Sequence, residues 1–162
     1  MKPPYERITA DPKFDDIRDS HELRYHIANG FIEENDYVVD AGCGTQYGGD
    51  IMKGIYTGLD KLYGFDLEKD EYKHKIDVFV SFEAIEHLET LDNFIRIAKT
   101  AKKWIVVSTP IIPTVGGGNI YHKQDFTEDR LTKLFVDKDF KLYGWLKQNE
   151  IYGIFIFKRI NF

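Results

Sequence analysis

The chain has 162 residues, a formal net charge of −5 and 43% hydrophobic residues, enough for one domain to bury a core without staples. Ordinary apolar content and 15% aromatics exclude a disordered chain, and the acidic balance argues against a protein that coats nucleic acid. Cys43 is the only cysteine, which excludes an internal disulfide and suits a reducing cytoplasm, and no apolar run approaches the roughly 20 residues of a membrane span. The opening residues do not read as a signal peptide, so the expected location is cytoplasmic, with no membrane partner.

The expected organisation is one domain over residues 1–162, with an N-terminal arm over 1–18. Pro3, Pro4 and the lack of periodicity mark the arm, whose Tyr5 and Arg7 could reach over a site. A helix is expected to begin near Asp19, which has capping-box spacing with Glu22. Leu23, Ile27 and Phe31 recur every four residues as its apolar stripe, and His21 and His26 read as surface or boundary residues. Tyr37-Val38-Val39 is then a short apolar run that closes on Asp40. Gly42 and Gly44 follow and allow a turn with positive φ. A strand entering a glycine turn lets main chain approach a ligand at the carboxyl end of a parallel sheet. A purely structural turn competes with this reading. A dinucleotide fingerprint competes less well, because the third glycine of Gly-x-Gly-x-x-Gly would fall on Tyr47.

The order strand, acid, glycine, cysteine, glycine resembles the first motif of class I S-adenosylmethionine-dependent methyltransferases. The third glycine of that family is Gln46 here, followed by Tyr47, Gly48 and Gly49. The resemblance implies that Asp40, Gly42, Cys43, Gly44 and Tyr47 surround the methyl donor. A short helix over 48–53 leads to a second strand over 55–60 that ends in Asp60, twenty residues after Asp40. By the same resemblance Asp60 accepts hydrogen bonds from the donor's ribose, a role that suits the two acceptor oxygens of a carboxylate. Asp66 is placed near the adenine amino group. A rival placement extends the first helix to about Thr57 and puts Asp66 at the ribose; Gly54, Thr57 and Gly58 make that helix poor. Either way too few residues remain for a further helical crossover, so the family's third strand is expected to be lost or reduced to a loop.

Residues 76–81 are almost continuously apolar, as a central parallel strand should be, and end in Ser81, counted with the donor site. Glu83-Ala84-Ile85-Glu86-His87-Leu88 follows, and the whole segment resembles the post-strand motif of small-molecule methyltransferases, including the ubiquinone-biosynthesis O-methyltransferases. This implies catalytic roles for His87, as general base, and Glu83. Glu83, Glu86, His87 and the later His122 are also similar to a divalent-metal set in small-RNA 3′-terminal 2′-O-methyltransferases. If the chain turns helically after Ser81, the first three share one face, and the four side chains suit Mg²⁺, Mn²⁺ or Zn²⁺. Otherwise His87 is a metal-free base or a hydrogen-bonded boundary residue, and both glutamates face solvent.

A helix over 90–102 is expected next, with Leu91, Phe94, Ile95, Ala98 and Ala101 inward, then a buried strand over 104–110. The loop over 111–123 carries a glycine run expected to be mobile, either a lid or a surface loop. Thr127 reads as an N-cap, with Phe126 stapling onto Leu131 and the helix ending near Val136. Strands over 141–146 and 151–158 form a terminal hairpin. The predicted fold is α/β: a Rossmann-like, doubly wound, mostly parallel sheet with a C-terminal antiparallel hairpin, reduced in size. The function implied by the resemblance is S-adenosylmethionine-dependent methyl transfer to a hydroxyl oxygen, of a small-molecule or glycan acceptor rather than nucleic acid. The alternative is a catalytically degenerate fold that acts as a binding or regulatory protein.

Overall fold

The apolar run at Val38 and Val39 lies one strand in from the edge of a six-stranded sheet, where both side chains are fully buried. The computed structural model describes residues 15–117 and 119–161. Helix α1 (Asp15–Ala28) precedes β1 (Tyr37–Ala41), which pairs in parallel with β2 (Ile55–Leu59) on one side and β3 (Val78–Phe82) on the other. After α2 (Asp92–Ala98), β4 (Trp104–Pro110) extends the parallel sheet beside β3. Helix α3 (Glu128–Phe135) leads into the hairpin of β5 (Phe140–Gln148) and β6 (Tyr152–Arg159). Strand β6 runs antiparallel beside β4 and β5 is outermost, giving the order β2-β1-β3-β4-β6-β5.

Side chains alternate across this sheet because successive residues of a strand point to opposite faces. Val38, Val78, Val80 and Phe82 pack with Tyr25 and Ala28 of α1. Phe79, Ile105 and Val107 pack on the other face with Phe94 and Ile97 of α2 and Leu131 and Phe135 of α3. Thr127 caps α3 by accepting from the Arg130 amide, and Phe126 and Leu131 lie buried in one cluster, as the pattern before the helix predicts.

The hairpin and β4 appear where the sequence places them. Residues 60–77 hold a single 3-10 turn and no strand, so the sheet ends at β2, as the shortage of residues predicts. Four expectations need correction. Helix α1 begins at Asp15 rather than Asp19, so the arm cannot extend to residue 18; Tyr5 and Arg7 lie outside the described residues. Its buried face is His21, Arg24, Tyr25 and Ala28; Ile27 and Phe31 of the expected stripe pack at the margin of the same cluster, whereas Leu23 is exposed. Counting only apolar residues missed the centre of the face, because it carries polar groups with partners deep in the fold. The expected helix over 48–53 is a 3-10 turn (Tyr47–Asp50), and α2 spans only part of 90–102.

Gly54 shows why the first crossover is so short. At φ +85 it reverses the chain into β2, and a Cβ there would lie 2.6 Å from the Asp36 carbonyl oxygen. Gly64 has a similar φ of +78 with nothing within 4 Å of a built Cβ. Gly64→Ala should therefore cost only the left-handed penalty, about 1–2 kcal/mol, and Gly54→Ala should cost clearly more. Urea unfolding of the two variants compares them; equal losses would mean that the Asp36 contact does not constrain the turn.

Candidate functional site

At the carboxyl ends of β1 and β2 the glycine turn is built against its neighbours. The amides of Gly42 and Cys43 both point to the Leu59 carbonyl, at 2.7 and 3.4 Å. The Gly44 amide donates to Asp60 Oδ2 at 3.0 Å, and the Leu62 amide donates to Oδ1 at 2.9 Å. A Cβ on Gly42 would lie 2.4 Å from the Ala84 Cβ, so the turn needs glycine to pack on the chain that leaves β3. A Cβ on Gly44 would meet nothing within 4 Å, which leaves its main chain open to a ligand. Gln46, a non-glycine residue, adopts a left-handed conformation with φ 65.

Asp40 is fully buried beneath this turn, and its Oδ2 accepts from the hydroxyls of Tyr25 at 3.0 Å and Tyr56 at 2.9 Å. Its Oδ1 is buried without a hydrogen-bond partner. Burial raises the Asp40 pKa to about 7, against the two tyrosine donors, which lower it. Burial also pushes up the Cys43 thiol, so this cysteine is packing rather than a nucleophile. The Ser81 hydroxyl is fully buried and donates to the Ala41 carbonyl at 2.7 Å, which ties β3 to β1. The Tyr47 hydroxyl meets His21 Nδ1, while His21 Nε2 lies 3.3 Å from the Phe82 carbonyl. Burial, with Arg24 nearby, lowers the pKa of His21 to about 3, so this residue is a neutral core histidine, not a surface one. Asp66 stands apart, with its carboxylate 3.5 Å from Lys61 and 3.6 Å from Lys69 and accepting from the Glu68 amide.

Beyond β3 the chain does not turn helically at once. Glu83 takes φ 53, so the three residues of Glu-x-x-Glu-His do not share a helix face. Its Oε1 lies 3.0 Å from Arg24 Nη1 and accepts from Ser108 Oγ at 3.1 Å. A 3-10 turn (Ile85–His87) then buries Glu86, whose Oε2 accepts from Thr109 Oγ1 at 3.1 Å and whose Oε1 has no hydrogen-bond partner. Burial, with the Glu83 charge nearby, raises the Glu86 pKa well above the usual carboxylate range. The amides of Lys123 and Gln124 both donate to the Glu86 carbonyl, at 2.8 and 3.2 Å. That return brings His122 edge-on to His87, with ring centroids 4.8 Å apart.

Ligating atoms of Glu86, His87 and His122 all lie within 4.8 Å of one another; Glu83 does not join them. Metal–ligand bonds of about 2.0–2.2 Å hold two ligand atoms at most ~4.4 Å apart, so the three would close slightly around an ion. The buried, unpartnered Glu86 Oε1 is the kind of oxygen that such an ion satisfies. No sequence pattern singles out Arg24, Tyr25 or Tyr56, since a helical arginine and two tyrosines read as ordinary surface and core.

Asp40 makes a pH test possible. Its folded pKa of about 7 lies above the unfolded value near 3.9. The stability linked to this group is fully present below the unfolded value and is lost as pH rises through about 7. Each unit of difference is worth ~1.36 kcal/mol, so the parent should lose on the order of a few kcal/mol as pH rises from the unfolded value near 3.9 to about 7. Urea titrations across that range should show a flatter profile for Asp40→Asn; matching slopes would place the titration elsewhere.

No family model matches the chain. Two Mycobacterium tuberculosis proteins, from strains CDC 1551 and H37Rv, each named a probable S-adenosylmethionine-dependent methyltransferase, are 25% identical to it. Each alignment covers 64% of this chain and 48% of the relative, so the chain spans about half the length of the curated relatives it matches. Geranyl diphosphate C-methyltransferase from Streptomyces coelicolor, solved with Mg²⁺, geranyl diphosphate and S-adenosyl-L-homocysteine, superposes with a TM-score of 0.72 at 11% identity, over 93% of this chain and 86% of that one. A chain from the complex of the Haloferax volcanii Trm112 methyltransferase activator superposes with a TM-score of 0.70 at 13% identity, over 91% of this chain and 92% of that one. The mixed six-stranded sheet with its antiparallel terminal strand is thus the Rossmann-like α/β fold of the class I S-adenosylmethionine-dependent methyltransferases.

Proposed function

We propose that the chain is an S-adenosylmethionine-dependent methyltransferase whose acceptor atom is a hydroxyl oxygen of a small molecule or glycan. One observation carries this reading: the Gly44 amide meets the Asp60 carboxylate at 3.0 Å, so that the β1 glycine turn and the β2 acid form one ledge at the carboxyl edge of the parallel sheet. The amides of Gly44 and Leu62 hold this carboxylate in place, and its two acceptor oxygens suit a vicinal diol. S-adenosylmethionine, when bound, supplies a methyl group already activated on a sulfonium. Asp60 holds the ribose, and the open main chain at Gly44 admits the methionine end, with Gly42 seating the turn on Ala84 and Tyr47 beside it. Asp40, Cys43 and Ser81 support the turn from beneath. Asp66 is the candidate for the adenine end.

For the acceptor, proximity and orientation provide most of the rate and a base helps to remove the hydroxyl proton. His87 Nδ1 lies 3.2 Å from the Tyr121 carbonyl. A nitrogen facing a carbonyl carries the proton, which leaves Nε2 as the basic atom of the neutral ring. Glu83 orients the neighbourhood through Arg24 and Ser108. In the alternative arrangement, a divalent ion held by Glu86, His87 and His122 would lower the pKa of the acceptor hydroxyl and make a separate base unnecessary. Two imidazoles with one carboxylate suit Zn²⁺ or Mn²⁺ better than Mg²⁺. The second reading, a degenerate fold that binds or regulates a partner, draws on Gln46 and the 3-10 turn in place of the first helix.

Calorimetry with S-adenosylmethionine and S-adenosylhomocysteine tests the donor. Asp60→Asn should weaken binding by roughly 1–3 kcal/mol, the scale of a hydrogen bond to a charged group, and Asp66→Asn should cost less. The reverse order would move the ribose to Asp66; a parent protein that binds neither compound supports the degenerate reading. A thermal-shift series with Zn²⁺ and Mn²⁺ checks the metal. Either ion should raise the melting temperature of the parent but not of Glu86→Gln, and an equal rise in both would exclude Glu86 as a ligand.

A further inference from the structure

A cavity of about 330 Å³ opens beside His122, between the end of β4, the loop that follows it and the turn into β6. This volume lies at the lower end of the roughly 300–1,000 Å³ typical of small-molecule sites. Pro110, Ile112, Ile151 and Tyr152 form its apolar wall, and Thr114, Asn119 and His122 supply polar groups on the other side. Among the described residues, no Lys, Arg, Asp or Glu lines it.

The walls are held from outside. Asp125 Oδ1 accepts from the amides of Thr114 and Val115, at 2.6 and 3.0 Å, which fixes the loop at the cavity's polar side. The Ile111 amide donates to the Ile151 carbonyl at 2.8 Å, joining the two apolar walls. Tyr152 is backed by the Arg24 guanidinium, 4.4 Å from its ring centroid, and the charge of that arginine is answered by Glu83. His122 faces the cavity with Nδ1 2.7 Å from Thr114 Oγ1 and Nε2 2.9 Å from the Asn119 amide nitrogen, and its ring stands against His87. A molecule in this space therefore meets imidazole at one end and aliphatic and aromatic surface elsewhere.

We infer that this cavity is the acceptor site and that it takes an uncharged, largely apolar small molecule, whose hydroxyl lies at the end where the His122 ring stands against His87. The inference rests on the methyl-transfer reading and narrows its acceptor. A phosphate or carboxylate would find no cationic partner in these walls, since no cationic side chain among the described residues lines the space. A nucleic-acid end, whose affinity comes mainly from phosphate contacts with Lys and Arg, lacks its partners here. An apolar ring or short alkyl chain gains from the walls in proportion to the area it removes from water.

The test uses 4-propylphenol as the uncharged probe, with phenyl phosphate and a short 5′-phosphorylated RNA as charged comparators. Binding is followed by the imidazole resonances of His122 and His87, and S-adenosylhomocysteine is titrated separately by calorimetry. The phenol should shift the His122 ring. Ile112→Lys and Ile151→Lys should weaken that binding by at least about tenfold, or ~1.4 kcal/mol, and leave S-adenosylhomocysteine binding unchanged. Both isoleucines are more than a third exposed, at 39% and 37%, so a lysine there does not threaten the core. A phenol that leaves His122 unmoved, or that binds both variants as well as the parent, overturns the assignment. So does stronger binding of either phosphorylated probe. If the phenol binds as expected while S-adenosylhomocysteine does not bind at all, the cavity stands and the methyl-transfer reading falls.

Discussion

A buried charge has to be answered, and in this protein Arg24 sets that demand. Its side chain is 2% exposed, deep between α1 and the carboxyl edge of the sheet. Nη1 lies 3.0 Å from Glu83 without hydrogen-bond alignment, Nε donates to Gln148 Oε1 at 2.8 Å, and the guanidinium covers Tyr152. Breaking such a pair from one side leaves an uncompensated charge and typically costs about 3–5 kcal/mol. The pair joins α1 to the ends of β3 and β5 and to the start of β6. Glu83 keeps its left-handed conformation within this arrangement. That conformation sends the next residues sideways, and Glu86 and His87 reach the position where the chain returns with His122.

The same edge explains how a short chain keeps a doubly wound topology. The connection from β1 to β2 passes over the face of α1, where Tyr47, Ile51 and Met52 pack. The connection from β2 to β3 runs back across the other face, where Phe65, Leu67 and Tyr72 pack. Direction and face both reverse, so the two crossovers keep one hand, as parallel connections do. Neither contains an α-helix. A 3-10 turn and packed loops give enough apolar cover because each passes over only one or two strands.

Three polar groups beneath the ledge, Asp40, Tyr25 and Tyr56, take space that aliphatic side chains could fill. Their cost is desolvation, visible in the raised pKa of Asp40. A buried acid with one unanswered oxygen beside a glycine turn is a poor choice for stability alone. It is a sound choice where a ligand is to complete the site, and Glu86 repeats the pattern beside the histidine pair. Both orphaned oxygens belong to carboxylates at the carboxyl edge of the sheet.

The sequence by itself determined the strands, their order of burial and the loss of one strand. Those follow from apolar runs, glycine positions and the residues available between Asp60 and Asp77, all local or countable. Resemblance to known motifs also drew attention to Asp60 and to a set of four, Glu83, Glu86, His87 and His122, of which Glu83 does not join the other three. Only the tertiary structure decided which residues meet. The burial of His21 and Arg24 depends on α1 docking against strands far along the chain, and no periodicity of apolar residues reports a polar face with distant partners. The separation of Glu83 from Glu86 and His87 depends on one left-handed residue, forced by contacts with α1 and β4 rather than by its own preference. His122 is thirty-five residues from His87 in sequence, and they meet because two amides of the returning chain bind the carbonyl of Glu86. Spacing names the groups, and long-range packing with buried hydrogen bonds fixes which of them share a site.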